Sequence, residues 1–332
     1  MSNRAPASAT YTVNLPGAGP VTIYAASWTG EGDLRLLLVH GLGHNTRVWE
    51  PLVETLLGSH GDRIREIVAI DLPGHGESGL PSGDYPFGKL DLHQYAVAVR
   101  GAFEALQRDG QGFDVLVGHS MGGIITLILA HALRAEGGSL PATLGVRGVS
   151  LIAPTMPDQV PWAFAEGVMT PEGLVSPMLT TLLPYIKYRP ELWFYAGVSA
   201  EDYLKLFFTR SDGELAEGAP TLAVAETLTS LEAYAAASQM GGIDLRSRLP
   251  LERPRAERGL LSALPLSLMA YQDDAFMTPD EQRTLASWLS GSTAYFVDES
   301  PDAVHCALWS RPGPTAEAVA SVMDALDIKS RK

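Results

Sequence analysis

The sequence contains a single cysteine, Cys306, in 332 residues. One thiol cannot form a disulfide within the chain, which favours a reducing compartment. The sequence also has no apolar run long enough to cross a bilayer, and residues 1–10 carry no apolar segment of the secretory type. These absences predict a cytoplasmic protein with no membrane-spanning segment.

Positive charge is scarce as well. The chain has 24 lysines and arginines against 38 aspartates and glutamates, for a net charge of -14, and the basic residues form no cluster. A basic patch is the electrostatic footprint of nucleic-acid or anionic-membrane binding, so we expect neither as a partner. The 46% of hydrophobic residues is typical of a globular protein with a substantial core.

The most informative motif is Gly-x-Ser-x-Gly, at residues 118–122. It follows the apolar run 115–117 and precedes a helical pattern, so Ser120 lies at a turn between a strand and a helix. Gly118 and Gly122 allow strand and helix to pass closely, and the free N–H groups at the start of the helix favour developing negative charge. This arrangement indicates a nucleophile elbow with Ser120 at its tip.

Short apolar runs alternate with helical periodicity through the first half of the chain. This alternation predicts an antiparallel hairpin at the start of the chain and then a parallel sheet with helices on both faces. The predicted strands lie near residues 11–13, 21–24, 34–39, 67–70, 115–117 and 146–152, and the predicted helices near 49–57, 93–107 and 121–135.

The alternation of predicted strands and helices stops after residue 157 and resumes near residue 264. Residues 158–262 are helix-like, so we expect three parts: core 1–157, an inserted helical cap 158–262, and core 263–332. A strand at 264–271, a helix from Pro279, a strand at 293–297 and a helix at 315–326 complete the second core part. About half of the bulky residues of the insertion are expected to pack against one another or the main domain, and its aromatic and methionine side chains are candidates to line an acyl or alcohol pocket. These bulky residues are Trp162, Phe164, Met169, Met178, Leu182, Tyr185, Tyr188, Trp193, Tyr195, Tyr203, Phe207 and Phe208.

Two further motifs accompany the elbow: Val39-His40-Gly41-Leu42-Gly43 after a buried strand, and the turn Asp71-Leu72-Pro73-Gly74-His75-Gly76-Glu77-Ser78 after the next. In this order and spacing the three motifs resemble the α/β-hydrolase family, specifically its esterase- and lipase-like members with a serine nucleophile. The resemblance implies a mostly parallel, doubly wound α/β sheet with an inserted helical cap. It implies neither a metal nor an organic cofactor.

The resemblance also implies a catalytic triad in the chain order serine, acid, histidine. Beyond Ser120 only His131 and His305 remain, and His131 lies about 16 Å along the helix, so His305 is the expected base. The expected acid is Asp274, with the adjacent Asp273 as the alternative and Asp158 as a more remote one. One of Asp273 and Asp274 is expected to be the acid. The other is expected to be a solvated loop residue or a cap for the helix near Thr278.

Negative charge on a substrate carbonyl oxygen requires two N–H donors. By the same resemblance these are the backbone groups of Leu42 and Met121. His40 and His75 are expected to form loop hydrogen bonds, and Cys306 to be a small buried residue.

The expected activity is hydrolysis of a small-molecule carboxylic ester through an acyl-enzyme, with apolar acyl or alcohol groups favoured. Several alternatives share the triad: lactone, thioester, amide or C–C bond hydrolysis, perhydrolysis and acyl transfer. A small-molecule receptor of the same fold is a further alternative. The sequence leaves the oligomeric state open.

Overall fold

The computed structural model describes residues 5–79, 92–107, 112–154, 200–229, 261, 264–289 and 293–330. These residues form one eight-stranded sheet in the order β1-β2-β4-β3-β5-β6-β7-β8. The strands are β1 Ala7–Leu15, β2 Gly19–Thr29, β3 Leu34–Val39, β4 Ile64–Ile70, β5 Val115–His119, β6 Gly148–Ile152, β7 Leu266–Tyr271 and β8 Ala294–Asp298.

The sheet is antiparallel at one end and parallel elsewhere. β1 and β2 form the expected hairpin, and β2 runs antiparallel to β4. All pairs from β4 through β3, β5, β6 and β7 to β8 are parallel. The carboxyl ends of β3, β5, β7 and β8 therefore lie along the same edge, and each of these ends leads into a loop that carries a predicted site residue.

Helices cover both faces of this sheet, as expected for a doubly wound fold. They are α1 Glu50–His60, α2 Leu92–Ala105, α3 Met121–Ala135, α4 Leu140–Leu144, α5 Ala200–Phe208, α6 Leu222–Leu228, α7 Pro279–Leu289, α8 Ala307–Ser310 and α9 Pro312–Ser330. A 3-10 turn, Thr46–Trp49, precedes α1. None of the helices within the described ranges is both long and apolar enough to cross a membrane.

The core has two layers because successive strand residues point to opposite faces. On β3, Leu37 and Val39 join the layer beneath α2, α3 and α7, whereas Leu36 and Leu38 join the layer beneath α1 and α9. All six β3 residues are buried, which agrees with an apolar sequence interrupted only by Arg35, whose guanidinium pairs with the Glu66 carboxylate at 2.8 Å.

Helices α5 and α6 belong to the stretch between β6 and β7. They pack on the same layer as α1 and α9, where Tyr203, Phe207 and Phe208 are buried. These three aromatic side chains are therefore part of this core layer. The nine other bulky residues named for the insertion lie outside the described residues, as does Asp158, so the division at 158–262 stays a prediction.

Candidate active site

Ser120 occupies a strained turn between β5 and α3. Its backbone angles are φ 51 and ψ -120, a region that side-chain-bearing residues rarely adopt. The turn depends on the flanking glycines: a Cβ on Gly118 would lie 2.6 Å from the carbonyl oxygen of Gly122, and a Cβ on Gly122 would lie 2.1 Å from that of Val39. The strand-to-helix turn predicted from the motif is thus present, with the Ser120 side chain at the carboxyl edge of the sheet.

His305 connects Ser120 to Asp274. Its Nε2 lies 2.8 Å from Ser120 Oγ, and its Nδ1 lies 3.0 Å from each carboxylate oxygen of Asp274. An N–H at Nδ1 directed at the carboxylate leaves the Nε2 lone pair free to accept the serine hydroxyl proton. His305 is only 1% exposed and Ser120 6%, so the cluster is shielded from bulk water. The structure therefore brings together three residues that are far apart in sequence.

The loop after β7 fixes Asp274 in this orientation. Its Oδ1 accepts the N–H groups of Phe276, at 2.8 Å, and Met277, at 3.3 Å, while the Gln282 amide lies 3.4 Å from Oδ2. The aromatic ring of Phe276 packs against the His305 ring, with centroids 4.3 Å apart. Both the carboxylate and the imidazole are thus held by neighbours beyond their mutual contact.

Asp273 points away from His305. Its carboxylate accepts the backbone N–H of Ser211 at 2.7 Å, which links this loop to the segment after α5. Asp273 is thus a half-buried loop residue, and of the two expectations for it only the helix cap is not met. Thr278 and Glu281 make the reciprocal hydrogen bonds at the start of α7, so that helix is capped without Asp273.

The loop after β3 lies directly against Ser120. A methyl group placed on Gly41 would come within 2.8 Å of Ser120 Cβ. Leu42 is the next residue, and Met121 opens α3, so the Met121 N–H has no partner within its own helix. The two backbone groups expected to bind the oxyanion thus belong to segments that flank the Ser120 side chain.

His40 and His75 form loop hydrogen bonds, as expected. His40 Nε2 accepts the N–H of Leu72 at 3.0 Å, which makes Nδ1 the donor to the Gly41 carbonyl at 2.7 Å. His75 Nδ1 lies 3.1 Å from the Pro73 carbonyl. Burial lowers the pKa of both rings, that of His75 to about 4, so both are neutral at pH 7.

Asp71 connects the same two loops. Its carboxylate accepts the backbone N–H groups of Thr46, at 2.6 Å, and Glu77, at 2.8 Å. Burial raises its pKa to about 6, although these hydrogen bonds pull in the opposite direction. The Asp71 turn therefore supports the loop beside Ser120 and does not face the reacting centre.

The sequence motifs did not predict two buried histidines next to this cluster. His119 Nε2 lies 3.1 Å from the His305 carbonyl oxygen, and His44 Nδ1 lies 2.7 Å from the Tyr203 hydroxyl. Burial lowers the pKa of both rings well below its usual value. The only signal in the sequence was their position within or beside the motifs, which does not reveal a partner on a distant helix.

Two other side chains considered from the sequence lie where expected. His131 is half-buried on α3, well along the helix from Ser120. Cys306 is fully buried, and burial raises the pKa of its thiol well above its usual value. A neutral, buried thiol is a poor nucleophile, which agrees with its interpretation as a packing residue.

A mostly parallel α/β sheet with serine, histidine and aspartate clustered at its carboxyl edge defines a class of hydrolytic enzymes. The chain belongs to the alpha/beta hydrolase family, whose model matches residues 36–318.

Individual relatives agree with this assignment. The chain is 30% identical over 185 residues to the human protein named "Putative protein-lysine deacylase ABHD14B", a match covering 54% of this chain and 79% of that one. It is 32% identical over 145 residues to mouse protein phosphatase methylesterase 1, which covers 44% of this chain but only 34% of the methylesterase. A thermophilic esterase from Thermogutta terrifontis shares the fold, with a TM-score of 0.61 at 19% identity over 96% of this chain and 98% of that one. These relatives support a hydrolase.

Proposed function

We propose that this protein is a serine hydrolase that cleaves carboxylic esters through an acyl-enzyme intermediate. Ser120 is the nucleophile, His305 the general base and acid, and Asp274 the residue that orients His305. The observation that carries the proposal is the pair of contacts made by one imidazole, 2.8 Å to Ser120 Oγ and 3.0 Å to the Asp274 carboxylate. Such a pairing activates a hydroxyl that is otherwise a weak nucleophile at neutral pH.

The first half of the reaction forms the acyl-enzyme. Ser120 Oγ attacks the ester carbonyl carbon while its proton passes to His305 Nε2, and Asp274 stabilises the imidazolium. The carbonyl oxygen becomes an oxyanion facing the backbone N–H groups of Leu42 and Met121. Collapse breaks the bond to the alcohol oxygen, which leaves with the proton from His305.

The second half returns the free enzyme. A water molecule gives a proton to His305 and attacks the acyl carbon, and the resulting intermediate expels Ser120 Oγ, which takes the proton back. The ester and one water molecule give a carboxylic acid and an alcohol, and the proposed reaction uses no cofactor.

The proposed substrates are small esters with apolar acyl groups of short or medium length. Two phenylalanine rings that pack on His305 support this, since Phe276 and Phe207 lie at centroid distances of 4.3 and 6.0 Å. We further propose that residues 158–262 form a cap over this edge of the sheet.

The first test is hydrolysis of a 4-nitrophenyl ester series from acetate to dodecanoate. We expect kcat/KM to peak at short or medium chains and to fall for succinyl or amino-acyl esters, because a charged group loses its hydration next to these rings. A fluorophosphonate should label one residue, and peptide mass mapping should identify it as Ser120. A folded enzyme that turns over none of these esters would contradict ester hydrolysis, and lysine-acyl amides and lactones would be assayed next.

Asp274→Asn and Asp273→Asn form a matched pair. We expect Asp274→Asn to lower kcat by about 10⁴-fold, because an amide favours the wrong imidazole tautomer and cannot stabilise the imidazolium. Asp273→Asn should change kcat less than threefold, because its carboxylate binds Ser211 and not His305. Steady-state kinetics on the best ester of the series measure both, and equal losses in the two variants would refute this assignment of the acid.

A further inference from the structure

Helix α5 contacts two of the loops that surround Ser120. The hydroxyl of Tyr203 lies 2.7 Å from His44 Nδ1, in the loop after β3. One helical turn later, the Phe207 carbonyl accepts the N–H of Cys306 at 3.2 Å, directly after His305. A helix from a distant part of the chain thus holds both the loop that carries Leu42 and the loop that carries His305.

His44 is a buried, neutral ring with defined neighbours. It is fully buried, and burial together with the nearby histidines lowers its pKa well below its usual value. The Phe207 ring packs on it with centroids 4.6 Å apart, and Cys306 Sγ lies 4.0 Å from Nε2. Because the thiol is a weak partner at that distance, the Tyr203 hydroxyl makes the stronger of these two polar contacts to the ring.

The position of His44 affects the backbone beside the nucleophile. A methyl group placed on Gly41 would meet His44 Cδ2 at 3.2 Å and Ser120 Cβ at 2.8 Å, so Gly41 lies between them. Leu42, whose N–H is the proposed oxyanion donor, is the next residue. A shift of the imidazole would therefore move the backbone on which that N–H is carried.

We propose that Tyr203 is a positioning residue for catalysis, which holds the Leu42 N–H in place through its hydrogen bond to His44. The inference rests on the proposed ester hydrolysis. Tyr203 does not react with substrate. Its effect reaches the oxyanion only through the Leu42 N–H, and this N–H stabilises charge that develops as the transition state forms.

Tyr203→Phe tests this proposal because it removes one oxygen and keeps the ring. We expect kcat to fall about tenfold, with KM changing less than twofold, since a misplaced donor weakens transition-state binding alone. The affinity for a trifluoromethyl ketone, which forms an oxyanion on Ser120, should fall by a similar factor. The matched control is Tyr295→Phe, which removes a hydroxyl bonded to the Pro279 carbonyl elsewhere in the fold and should leave kcat unchanged.

A double-mutant cycle with His44→Phe completes the test. If Tyr203 acts through His44, Tyr203→Phe should lower kcat no further once His44 is replaced. An unchanged kcat in Tyr203→Phe, an effect on KM alone, or additive losses in the cycle would each overturn the proposal. Failure of the proposed function itself would look different, because the wild type would then hydrolyse no ester or Ser120→Ala would remain active.

Discussion

Ser120→Ala is expected to lower kcat for ester hydrolysis by roughly 10⁵- to 10⁶-fold, the loss typical of removing the nucleophile of a serine triad. The substitution deletes only Oγ, the atom that lies 2.8 Å from His305 Nε2. Because alanine resembles serine in size and meets the same backbone strain at φ 51, the fold should persist. Single-turnover and steady-state assays measure the loss, and thermal unfolding verifies the fold.

Three companion variants make the result specific. His305→Ala should lose nearly as much activity, and the double variant with Ser120→Ala should lose little more, because the two residues act as a unit. Ser267→Ala is the matched control: it removes a buried hydroxyl that bonds Ser150 at 2.9 Å in the sheet, so it should affect stability but not kcat. Activity that survives Ser120→Ala would refute the proposed mechanism.

The second large effect is a steep loss of stability on acidification. His40, His44, His75 and His119 are fully buried, and their pKa values are lowered from 6.5, chiefly by burial. The unfolded chain binds protons on these rings below about pH 6.5, whereas the folded protein does not. The contribution of the neutral rings to the free energy of unfolding is therefore fully present above that pH and is lost as pH falls. His75, whose folded pKa is about 4, loses about 1 kcal/mol of stabilisation between pH 7 and 5.5, and the other three rings act in the same direction.

Asp71 works in the opposite direction. Its folded pKa of about 6 exceeds its ordinary value of 3.8. Its contribution to the free energy of unfolding is therefore fully present below pH 3.8 and is lost as the pH rises through about 6. Acidification to pH 5.5 recovers about 1 kcal/mol from this group, too little to offset the histidines. Four histidines oppose this one carboxylate, so the net result of acidification is a loss of stability.

Urea denaturation at several pH values between about 7.5 and 5.5 measures the slope of the free energy of unfolding against pH. His75→Gln should make the dependence of the free energy of unfolding on pH shallower, because one of four proton-binding differences is removed. Asp71→Asn should make the slope steeper, since the opposing group is lost. A free energy of unfolding that stays level down to pH 5.5 in the wild type would contradict the prediction.

The sequence by itself determined the family, the order of the strands and longer helices of the core, and the turn at Ser120, because each is encoded locally. Two-residue and helical periodicities identify strands and helices over a few residues, and the glycines of the elbow act on adjacent backbone. The strand predicted at 34–39 appears as Leu34–Val39, and the helix predicted at 121–135 as Met121–Ala135. The short helix Leu140–Leu144, by contrast, carries too few residues for a periodic signal and was not predicted.

Only the tertiary structure decided which side chains meet. Asp273 and Asp274 are adjacent, and the hydrogen bonds within the loop after β7 turn Asp274 toward His305 and Asp273 toward Ser211. His44 and Tyr203 are 159 residues apart, and no local pattern encodes their contact. Such contacts depend on how distant loops and helices pack at the carboxyl edge of the sheet, a property of the folded chain and not of any short stretch of it.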